Sequence, residues 1–374
     1  MTTVIADDIT GAAEIAGAAL SHGLNTVLTV GCADCPVCAD VWVIATDMRS
    51  GSEDDAVNTV RQIASCLKNT GGPIFKKTDS VLRGHVTAEI NALTEALGIS
   101  ATMLLPQNPS RGRTIKDGIY YVNGVPIDRT PFRDDPEFPV RSASVCDILG
   151  GNVEMLTVDG MPNSGTGRHI YAAEATNSDE INLQLSKAGE NYLLAGGVDF
   201  FNAFLKKEYP YTKNKHEKHG KITPKEYSII LCGSTQSESI AGTLFARRSG
   251  TYETTVPHDV FNGAPADSWL ASLPALYLRH KSLAINVGRR ENAGPAIAAR
   301  LRHVMAEAAR QTAAAHTPDL LIIEGGATAY ATISRLELNS FILTHEYAPG
   351  IVGMTNGTTE IILKPGSYSW GELL

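Results

Sequence analysis

The 374-residue sequence has no long apolar run, few cysteines and no excess of basic residues. Because no apolar run is long enough to span a bilayer, a membrane segment is not expected. The first eight residues, MTTVIADD, lack the basic start and apolar core of an export signal, which predicts a cytoplasmic protein. A formal net charge of -8 at pH 7 disfavours nucleic acid and anionic membranes as partners, since both reward a basic surface.

Six cysteines in a chain of this length are too few for a disulfide scaffold. Cys32, Cys35 and Cys38 nevertheless form a cluster with two residues between neighbours, a spacing that can hold a metal ion or an iron–sulfur cluster. The usual fourth cysteine before a proline is missing, and Trp42 stands where a close fourth ligand would have been. We therefore favour the alternative, a surface turn between two strands.

Neither common nucleotide fingerprint is present, whether GxxxxGK followed by Ser or Thr, or GxGxxG at the start of a helix. Instead, small residues follow predicted strands twice, as Gly233-Ser234 and as GGAT at 325–328. Glycine lets the backbone approach a phosphate closely, and a helix N-terminus supplies free N–H groups. Each of these turns could equally be only a tight connection.

Strand-like and helix-like segments alternate along the chain, which predicts parallel sheets with flanking helices. The length exceeds what one hydrophobic core usually supports, so two domains are expected. The polar, lysine-rich residues 206–225 are the best boundary between them. The predicted fold class is therefore α/β with two domains, 1–210 and 226–374, joined by a linker at 211–225, each domain being a largely parallel sheet.

The predicted strands are 2–6, 26–30, 41–46, 73–75, 102–105 and 170–173 in the first half, and 227–232, 283–287 and 320–323 in the second. Between them, apolar residues recur at helical spacing, as in Val86, Ile90 and Leu93. Residues 106–139 are rich in Pro, Gly, Arg and Asp and look irregular. So long a loop inside a domain is uncommon unless it has a function.

Residues 73–85 place charges where a strand gives way to a helix. Two lysines end the apolar run, and a polar turn containing Asp79, Ser80 and Arg83 follows. In open α/β sheets this edge is where ligands bind. Arginine pairs a carboxylate bidentately and lysine adds a point charge, so the stretch suits a small acid. The alternative is a solvated loop whose charges pair with one another.

Asp7 and Asp8 follow the first predicted strand and precede a helix. Adjacent carboxylates repel, so one of them is expected to have a raised pKa and to act as a base. The pair could instead hold a divalent cation, or be helix-start acids that stabilise the helix dipole. Arg49 and Arg113 lie in further polar segments. If these arginines converge they build an anion pocket, and if they are scattered they are only surface.

Taken in order, these segments resemble the family of four-carbon acid sugar kinases, once catalogued as a domain of unknown function. The resemblance covers nearly the whole chain and rests chiefly on IADDITGA at 5–12 and KKTDSVLRG at 76–84. It continues through the less specific segments GRT at 112–114, TPF at 130–132, DP at 135–136, GS at 233–234, GGAT at 325–328, EYAPG at 346–350 and KPG at 364–366.

The resemblance implies an N-terminal domain that binds the acid sugar and a C-terminal domain that binds ATP, with the active site in the interdomain cleft. The family uses ATP and Mg²⁺ to phosphorylate C4 of acids such as threonate, erythronate or 3-oxo-tetronate. Carried over by position, the substrate-binding residues are Asp7, Arg49, Lys77, Thr78, Asp79, Ser80, Arg83 and Arg113. The ATP-binding residues are Ser234, Gly325, Gly326, Thr328, Lys364, Gly366 and Ser367.

For catalysis, the resemblance and the chemistry of phosphoryl transfer assign the hydroxyl proton to Asp7 or Asp8. Arg49 and Arg83 would hold the substrate carboxylate. Lys77 or Mg²⁺ would neutralise the transferring group.

Two departures from the family pattern fall in the ATP half. Ala327 stands where the family usually has an acid, and Ser367 and Ser369 replace glycines. They leave open a non-catalytic acid-sugar binding protein with a decayed ATP site. A metal-dependent enzyme of acid-sugar metabolism that does not use ATP is a further alternative. The sequence also leaves open a homo-oligomer.

Overall fold

The computed structural model describes residues 1–33, 35–67, 70–135, 137–162, 168–211, 220–223, 225–233, 250–288, 295–366, 368, 370 and 373. By its internal contacts the chain divides into two compact units. The first unit comprises Met1–Thr26 and Gly31–Asn214, and the second comprises Val27–Val30 and Lys215–Leu374. The division after Asn214 lies within the polar segment 206–225.

Parallel strands form the main sheet of the first unit, and in the described residues their order is β3–β1–β4–β11–β5–β10–β9. Their bounds are Thr2–Ala6 (β1), Val41–Ala45 (β3), Ile74–Lys77 (β4), Ala101–Leu105 (β5), Val153–Leu156 (β9), His169–Ala173 (β10) and Tyr192–Gly196 (β11). Every residue of β1, β3 and β5 is buried, as expected of a parallel sheet covered on both faces. The predicted α/β class is confirmed.

The helices described in the first unit are Ile9–Ser21 (α1), Glu53–Leu67 (α2), Val86–Leu97 (α3), Val145–Leu149 (α4), Ser178–Lys187 (α5) and Val198–Glu208 (α6). Helix α3 buries Val86, Ile90 and Leu93, so the helical stripe read from the sequence is confirmed. Because β4 ends at Lys77 and α3 begins at Val86, the turn between them lies at the carboxyl edge of the sheet.

Residues 106–139 are not irregular, and this prediction is wrong. They contain a small antiparallel sheet of Arg113–Lys116 (β6), Ile119–Val122 (β7) and Val125–Pro126 (β8). Ile115, Tyr120 and Ile127 are fully buried under it. The strands are two to four residues long and β6 is mostly polar, so their alternation is too short to be recognised.

The second unit has a mixed sheet whose described strands are ordered β13–β14–β12–β15–β18–β17–β16–β2. The first five strands pair in parallel and the remaining pairs are antiparallel. The sequence did not predict the antiparallel strands. The strand bounds are Thr26–Val30 (β2), Ser228–Cys232 (β12), Tyr252–Thr255 (β13), Ser282–Asn286 (β14), Leu320–Glu324 (β15), Ser340–Ala348 (β16), Ile351–Thr355 (β17) and Glu360–Lys364 (β18). The helices in the described residues of this unit are His258–Phe261 (α7), Asp267–His280 (α8), Pro295–Ala315 (α9) and Gly326–Arg335 (α10).

The cysteine cluster includes a disulfide that the sequence did not predict. Cys32 is bonded to Cys66 of α2, while Cys35 and Cys38 are free and exposed. The position of Cys66 in the sequence gave no sign of this partnership, because tertiary packing brings it to the loop after β2.

None of the helices in the described ranges is both long and apolar enough to cross a membrane.

Candidate active site

Asp8 is the N-cap of α1, directly after β1. Its Oδ1 accepts a hydrogen bond from the Gly11 N–H at 2.8 Å, and the Thr10 hydroxyl donates to its other oxygen. Burial raises the pKa of Asp8, but the charge of Arg49 and these hydrogen bonds lower it more, so its pKa lies below the usual value. The raised pKa expected for one of the two acids is therefore wrong for Asp8, which caps the helix.

Arg49 draws three carboxylates together. It lies in the short 3₁₀ turn Met48–Ser50, and its Nε donates to Asp7 Oδ2 at 2.7 Å. Its Nη2 and Nη1 donate to the two oxygens of Asp8 at 2.9 and 3.2 Å, and Nη1 lies 3.6 Å from Asp79 Oδ1. Burial lowers the pKa of Arg49, but the carboxylates raise it well above its usual value. The guanidinium fork expected to hold a substrate is thus bound by the protein's own acids.

The turn between β4 and α3 is built around Asp79. Its Oδ2 accepts the N–H groups of Val81 and Arg83 at 3.2 and 3.1 Å. The Arg83 Nε and Nη2 each donate to Asp79 at 3.0 Å, and Nη1 pairs with Asp135 at 3.2 Å. Burial raises the pKa of Asp79, but Arg49 and Arg83 lower it far below the usual value. The charges of this turn pair with one another, although Asp79 is buried rather than solvated.

The two lysines that end β4 are buried and pair with acids that the sequence analysis missed. Lys77 Nζ lies 3.6 Å from Glu14 Oε2, and Lys76 Nζ lies 2.7 Å from Glu89 Oε2. Glu14 also accepts a hydrogen bond from Arg111 Nη1 at 2.5 Å. The signal for Glu14 was its place as the single acid in the otherwise uncharged helix α1.

Arg113 differs from the other arginines of this cluster, because it forms no ion pair with a carboxylate of the described residues. Its Nη1 donates to Ser80 Oγ, and its guanidinium lies over the Phe132 ring, 5.9 Å from the centroid. Arg83 lies over the same ring at 5.9 Å. The Tyr120 hydroxyl donates to the Ser80 carbonyl. The small sheet thus brings a cation and a phenol to the predicted substrate turn, and the 3₁₀ turn Pro131–Asp134 that follows it brings an aromatic ring.

Several buried polar atoms have no hydrogen-bond partner in the described part of the chain, and four of them follow strands β1, β4 and β5. They are Asp7 Oδ1, Thr78 Oγ1, Gln107 Oε1 and Asn108 Nδ2. Asp7 is 2% exposed, and its other oxygen is held by Arg49. Asn108 Oδ1 accepts the Asp199 N–H at 3.1 Å. Because buried polar groups are normally hydrogen-bonded, these atoms are candidates for contact with a polar ligand.

In the second unit, the described members of the predicted ATP set lie directly after β15 and at or just after the end of β18, and these two strands are neighbours in the sheet. Gly325 has φ +102° and is the N-cap of α10, which begins at Gly326. A Cβ atom on Gly233 would overlap Thr328 Oγ1, so this contact requires glycine. Ser234 lies outside the described residues.

Lys364 is 2% exposed and ends β18. Its Nζ lies 3.3 Å from Glu324 Oε1 and donates to two carbonyls of the following turn, which includes Gly366, at 2.9 and 2.6 Å. Burial lowers the pKa of Lys364, and Glu324 offsets this only in part. The cation predicted to contact ATP is therefore engaged inside the protein. Ser367 lies outside the described residues.

The chain matches the model of the sugar-binding N-terminal domain family over residues 2–193, which is more than half of its length. It is 24% identical over 403 aligned positions to the 3-oxo-tetronate kinase of Brucella melitensis, covering 98% of this chain and 92% of the relative. A D-threonate kinase of Bordetella bronchiseptica is 34% identical over 155 residues, which are 39% of this chain and 38% of the relative.

A Haemophilus influenzae protein of family DUF1537 has a similar structure, with a TM-score of 0.75 at 18% identity, and the likeness covers 99% of this chain and 97% of that one. At this identity the structural likeness shows the fold. The match to the family model, over more than half of the chain's length, shows that the chain belongs to the sugar-binding N-terminal domain family.

Proposed function

We propose that this protein is an ATP-dependent kinase that phosphorylates the C4 hydroxyl of a four-carbon acid sugar such as threonate, erythronate or 3-oxo-tetronate. The observation that carries the proposal is the combination, in the first unit, of Arg113 with the unpaired polar atoms of Asp7, Thr78 and Asn108. A small hydroxy acid supplies an anion for the cation and hydroxyls for the polar atoms. The names of the relatives support the same substrate class.

The substrate carboxylate is assigned to Arg113 rather than to Arg49 or Arg83. Both of those arginines already bind buried or partly buried carboxylates. If either arginine bound the substrate instead, a carboxylate of the protein would lose its ion pair, which costs free energy. Among the described residues, the Arg113 guanidinium donates only to the Ser80 hydroxyl, so it can bind a carboxylate without that cost.

Asp7 is the base in this proposal. Arg49 fixes its Oδ2, which leaves Oδ1 to orient the attacking hydroxyl and accept its proton. Asp8 is less suited, since it caps α1 and its lowered pKa makes it a weaker base. Lys77 is close enough to Asp8 to contribute to that lowered pKa, so it brings positive charge to the same strand end.

ATP would bind in the second unit, where Gly233 and Gly325 allow the backbone to approach phosphate and the first N–H groups of α10 favour an anion. Mg²⁺ bound to ATP would supply charge neutralisation during phosphoryl transfer. Within the described ranges, no group of three or more His, Cys, Asp or Glu side chains is arranged to hold a metal ion. That fits an ion bound mainly through phosphate oxygens and water.

ADP release by the purified protein with Mg·ATP tests the proposal. The panel is both enantiomers of threonate and of erythronate, together with 3-oxo-tetronate. Succinate, which has no hydroxyl, and a no-substrate blank are the controls. We expect one acid to stimulate release and to carry the new phosphate on its C4 oxygen by phosphorus NMR. Silence across the panel, with folded protein, would contradict the kinase assignment for these acids.

The second candidate is an acid-sugar binding protein that has lost its ATP site. It is favoured by Ala327, which leaves the first turn of α10 without an acid, and by the internal pairing of Lys364 with Glu324. Calorimetric titration distinguishes the two functions. Binding of the acid sugar without binding of Mg·ATP would identify the non-catalytic protein, whereas binding of both would favour the kinase.

A further inference from the structure

A network of three buried side chains lies at the strand ends of the second unit. Glu324 and Lys364 are the last residues of the neighbouring strands β15 and β18. Trp370 joins them, although it lies outside the segments that carry the family resemblance. Its indole N–H donates to Glu324 Oε2 at 3.0 Å, and Glu324 Oε1 lies 3.3 Å from Lys364 Nζ. All three side chains are buried, so these contacts are sheltered from water.

The backbone of the same acid and lysine binds the glycine turns that we assign to phosphate. The carbonyl of Glu324 accepts the N–H of Gly233 at 3.1 Å. The carbonyl of Lys364 accepts the N–H of Gly325 at 2.9 Å. Lys364 Nζ also donates to two carbonyls of the turn after β18. The turns after β12, β15 and β18 are therefore connected through two residues.

The hydrophobic core of the second unit holds Trp370 in place. Trp370 belongs to the cluster of buried side chains that includes Ile230, Ile322 and Ile362, one from each of β12, β15 and β18. The centroid of its ring lies 5.3 Å from Lys364 Nζ, a distance at which an ammonium group and an aromatic face attract each other. The indole thus constrains both charged members of the network.

We propose that Trp370 is a positioning residue for the nucleotide. It fixes the side chains of Glu324 and Lys364, and through their backbone it fixes the glycine turns that approach phosphate. This inference rests on the proposed binding of ATP in the second unit. A turn held in its binding conformation before the ligand arrives loses less conformational entropy when the ligand binds.

Trp370→Phe tests the proposal, because it keeps an aromatic ring and removes the N–H donor. We expect calorimetry to show the Kd of Mg·ATP raised by about 10- to 100-fold through loss of a hydrogen bond to a charged group. The KM for ATP should rise more than kcat falls, and the Kd of the acid sugar should be unchanged. Trp269→Phe is the matched control, because Trp269 belongs to α8 of the same unit and its indole N–H faces Thr254. It should keep the wild-type Kd.

Tryptophan fluorescence gives a second readout, which a loss of stability alone would not produce. Mg·ATP should shift the emission of the wild-type protein and of Trp269→Phe. It should not shift the emission of Trp370→Phe, because Trp370 is the indole bonded to the residue before the Gly325 turn. A shift of wild-type size in Trp370→Phe would contradict the proposal.

Equal Kd values for Mg·ATP in Trp370→Phe and Trp269→Phe would overturn the inference and leave the proposed kinase intact. If the wild-type protein binds no Mg·ATP, both fail together, so the two failures are distinguishable. Circular dichroism checks that each variant is folded. If Trp370→Phe does not fold, Glu324→Gln replaces it with the same expected loss of nucleotide affinity, because an amide cannot neutralise Lys364.

Discussion

At the scale of single residues, the acids of the first unit differ in how completely the protein binds them. Asp8 and Asp79 each accept backbone N–H groups and arginine on their carboxylate oxygens. Asp7 has one oxygen on Arg49 and the other without a partner among the described residues. A carboxylate held on both sides stabilises the structure, whereas one held on a single side is oriented and still able to accept a proton.

Asp7→Asn tests this distinction, because it keeps the shape of the side chain and removes the base. We expect kcat to fall by about 10²- to 10⁴-fold, the usual contribution of a general base. The Kd for Mg·ATP should be unchanged. Steady-state ADP release and calorimetry measure the two quantities. Asp54→Asn, at an exposed acid in the first turn of α2, is the matched control and should keep full turnover. Near-normal kcat in Asp7→Asn would show that another group takes the proton.

Replacement of Arg113 tests the assignment of the substrate carboxylate. Arg113→Met should raise the Kd of the acid sugar by about 10- to 100-fold, through loss of charge-assisted hydrogen bonds. Arg113→Lys should recover only part of the affinity, since lysine is a point charge. Calorimetry without ATP measures binding alone. Arg61→Met removes an exposed arginine that pairs with Glu95 and serves as the control. If Arg113→Met and Arg113→Lys both bind the acid sugar with unchanged affinity, the substrate carboxylate is bound by Arg49 or Arg83 instead.

The lowered pKa values of Asp8 and Asp79 make stability depend on acid pH. The folded state favours the ionised acids, so their stabilisation is present above the unfolded-state pKa of about 4 and is lost as pH falls through the folded-state values. We expect the free energy of unfolding to fall below about pH 5. Asp79→Asn cannot ionise, so it should be less stable at neutral pH and should show a shallower fall. Urea denaturation at neutral and acid pH measures the free energy of unfolding of both proteins. An equal decrease in the wild-type protein and in Asp79→Asn would contradict the conclusion that ionised Asp79 stabilises the fold.

At the scale of secondary-structure elements, the sequence predicts the strands that are formed by one continuous buried segment of the chain. Strands β1, β5 and β15 are fully buried and mostly apolar, and the structure places them within a residue or two of the prediction. The small sheet of β6, β7 and β8 was missed because its strands are short and partly polar. The local sequence pattern does not predict a strand that is defined by its pairing with another short segment rather than by burial of a long apolar run.

The same reasoning explains which parts of the candidate site the sequence predicts. Asp79 and Arg83 were found because they lie together in one motif between a strand and a helix. Glu14, Tyr120 and Phe132 come from α1 and from the segment 106–139, and only tertiary packing brings them to that motif. Their roles could not be predicted from spacing, since no periodicity connects residues so far apart in the chain.

The two glycines that flank α3 offer a matched test of how this element positions Arg49. Gly84 has φ +87° and Gly98 has φ +68°. A Cβ atom on Gly84 would lie 3.1 Å from Arg49 Cγ, whereas nothing lies within 4 Å of one on Gly98. We expect alanine at either position to cost about 1–2 kcal/mol of unfolding free energy through its positive φ.

Only Gly84→Ala should also reduce kcat/KM, by about 10- to 100-fold, because it displaces Arg49 and with it Asp7. Thermal denaturation and ADP release under one buffer condition measure stability and activity in both variants. Equal kcat/KM values in Gly84→Ala and Gly98→Ala would mean that the close approach of Gly84 to Arg49 has no part in positioning the base.

At the scale of the whole chain, the proposal assigns the two substrates to different units. The acid sugar is assigned to the strand ends of the first unit, and ATP to the turn before α10 in the second. Hydrogen exchange can examine each ligand alone, because a ligand that binds only the folded form suppresses local opening around its site. This separates the two assignments without requiring turnover.

The acid sugar should slow amide exchange at 77–84 and 111–122, and Mg·ATP should slow it at 325–335. Succinate and Mg·ADP serve as matched ligands, the first lacking the hydroxyls and the second the γ-phosphate. Protection of 325–335 by Mg·ATP together with the loss of turnover in Asp7→Asn would place catalysis and nucleotide binding on separate residues of one enzyme. The other possible outcome is protection of 77–84 by the acid sugar with no protection of any segment by Mg·ATP. That result would favour the non-catalytic binding protein. The absence of an acid at Ala327 and the internal pairing of Lys364 with Glu324 would then explain why the second unit no longer binds a nucleotide.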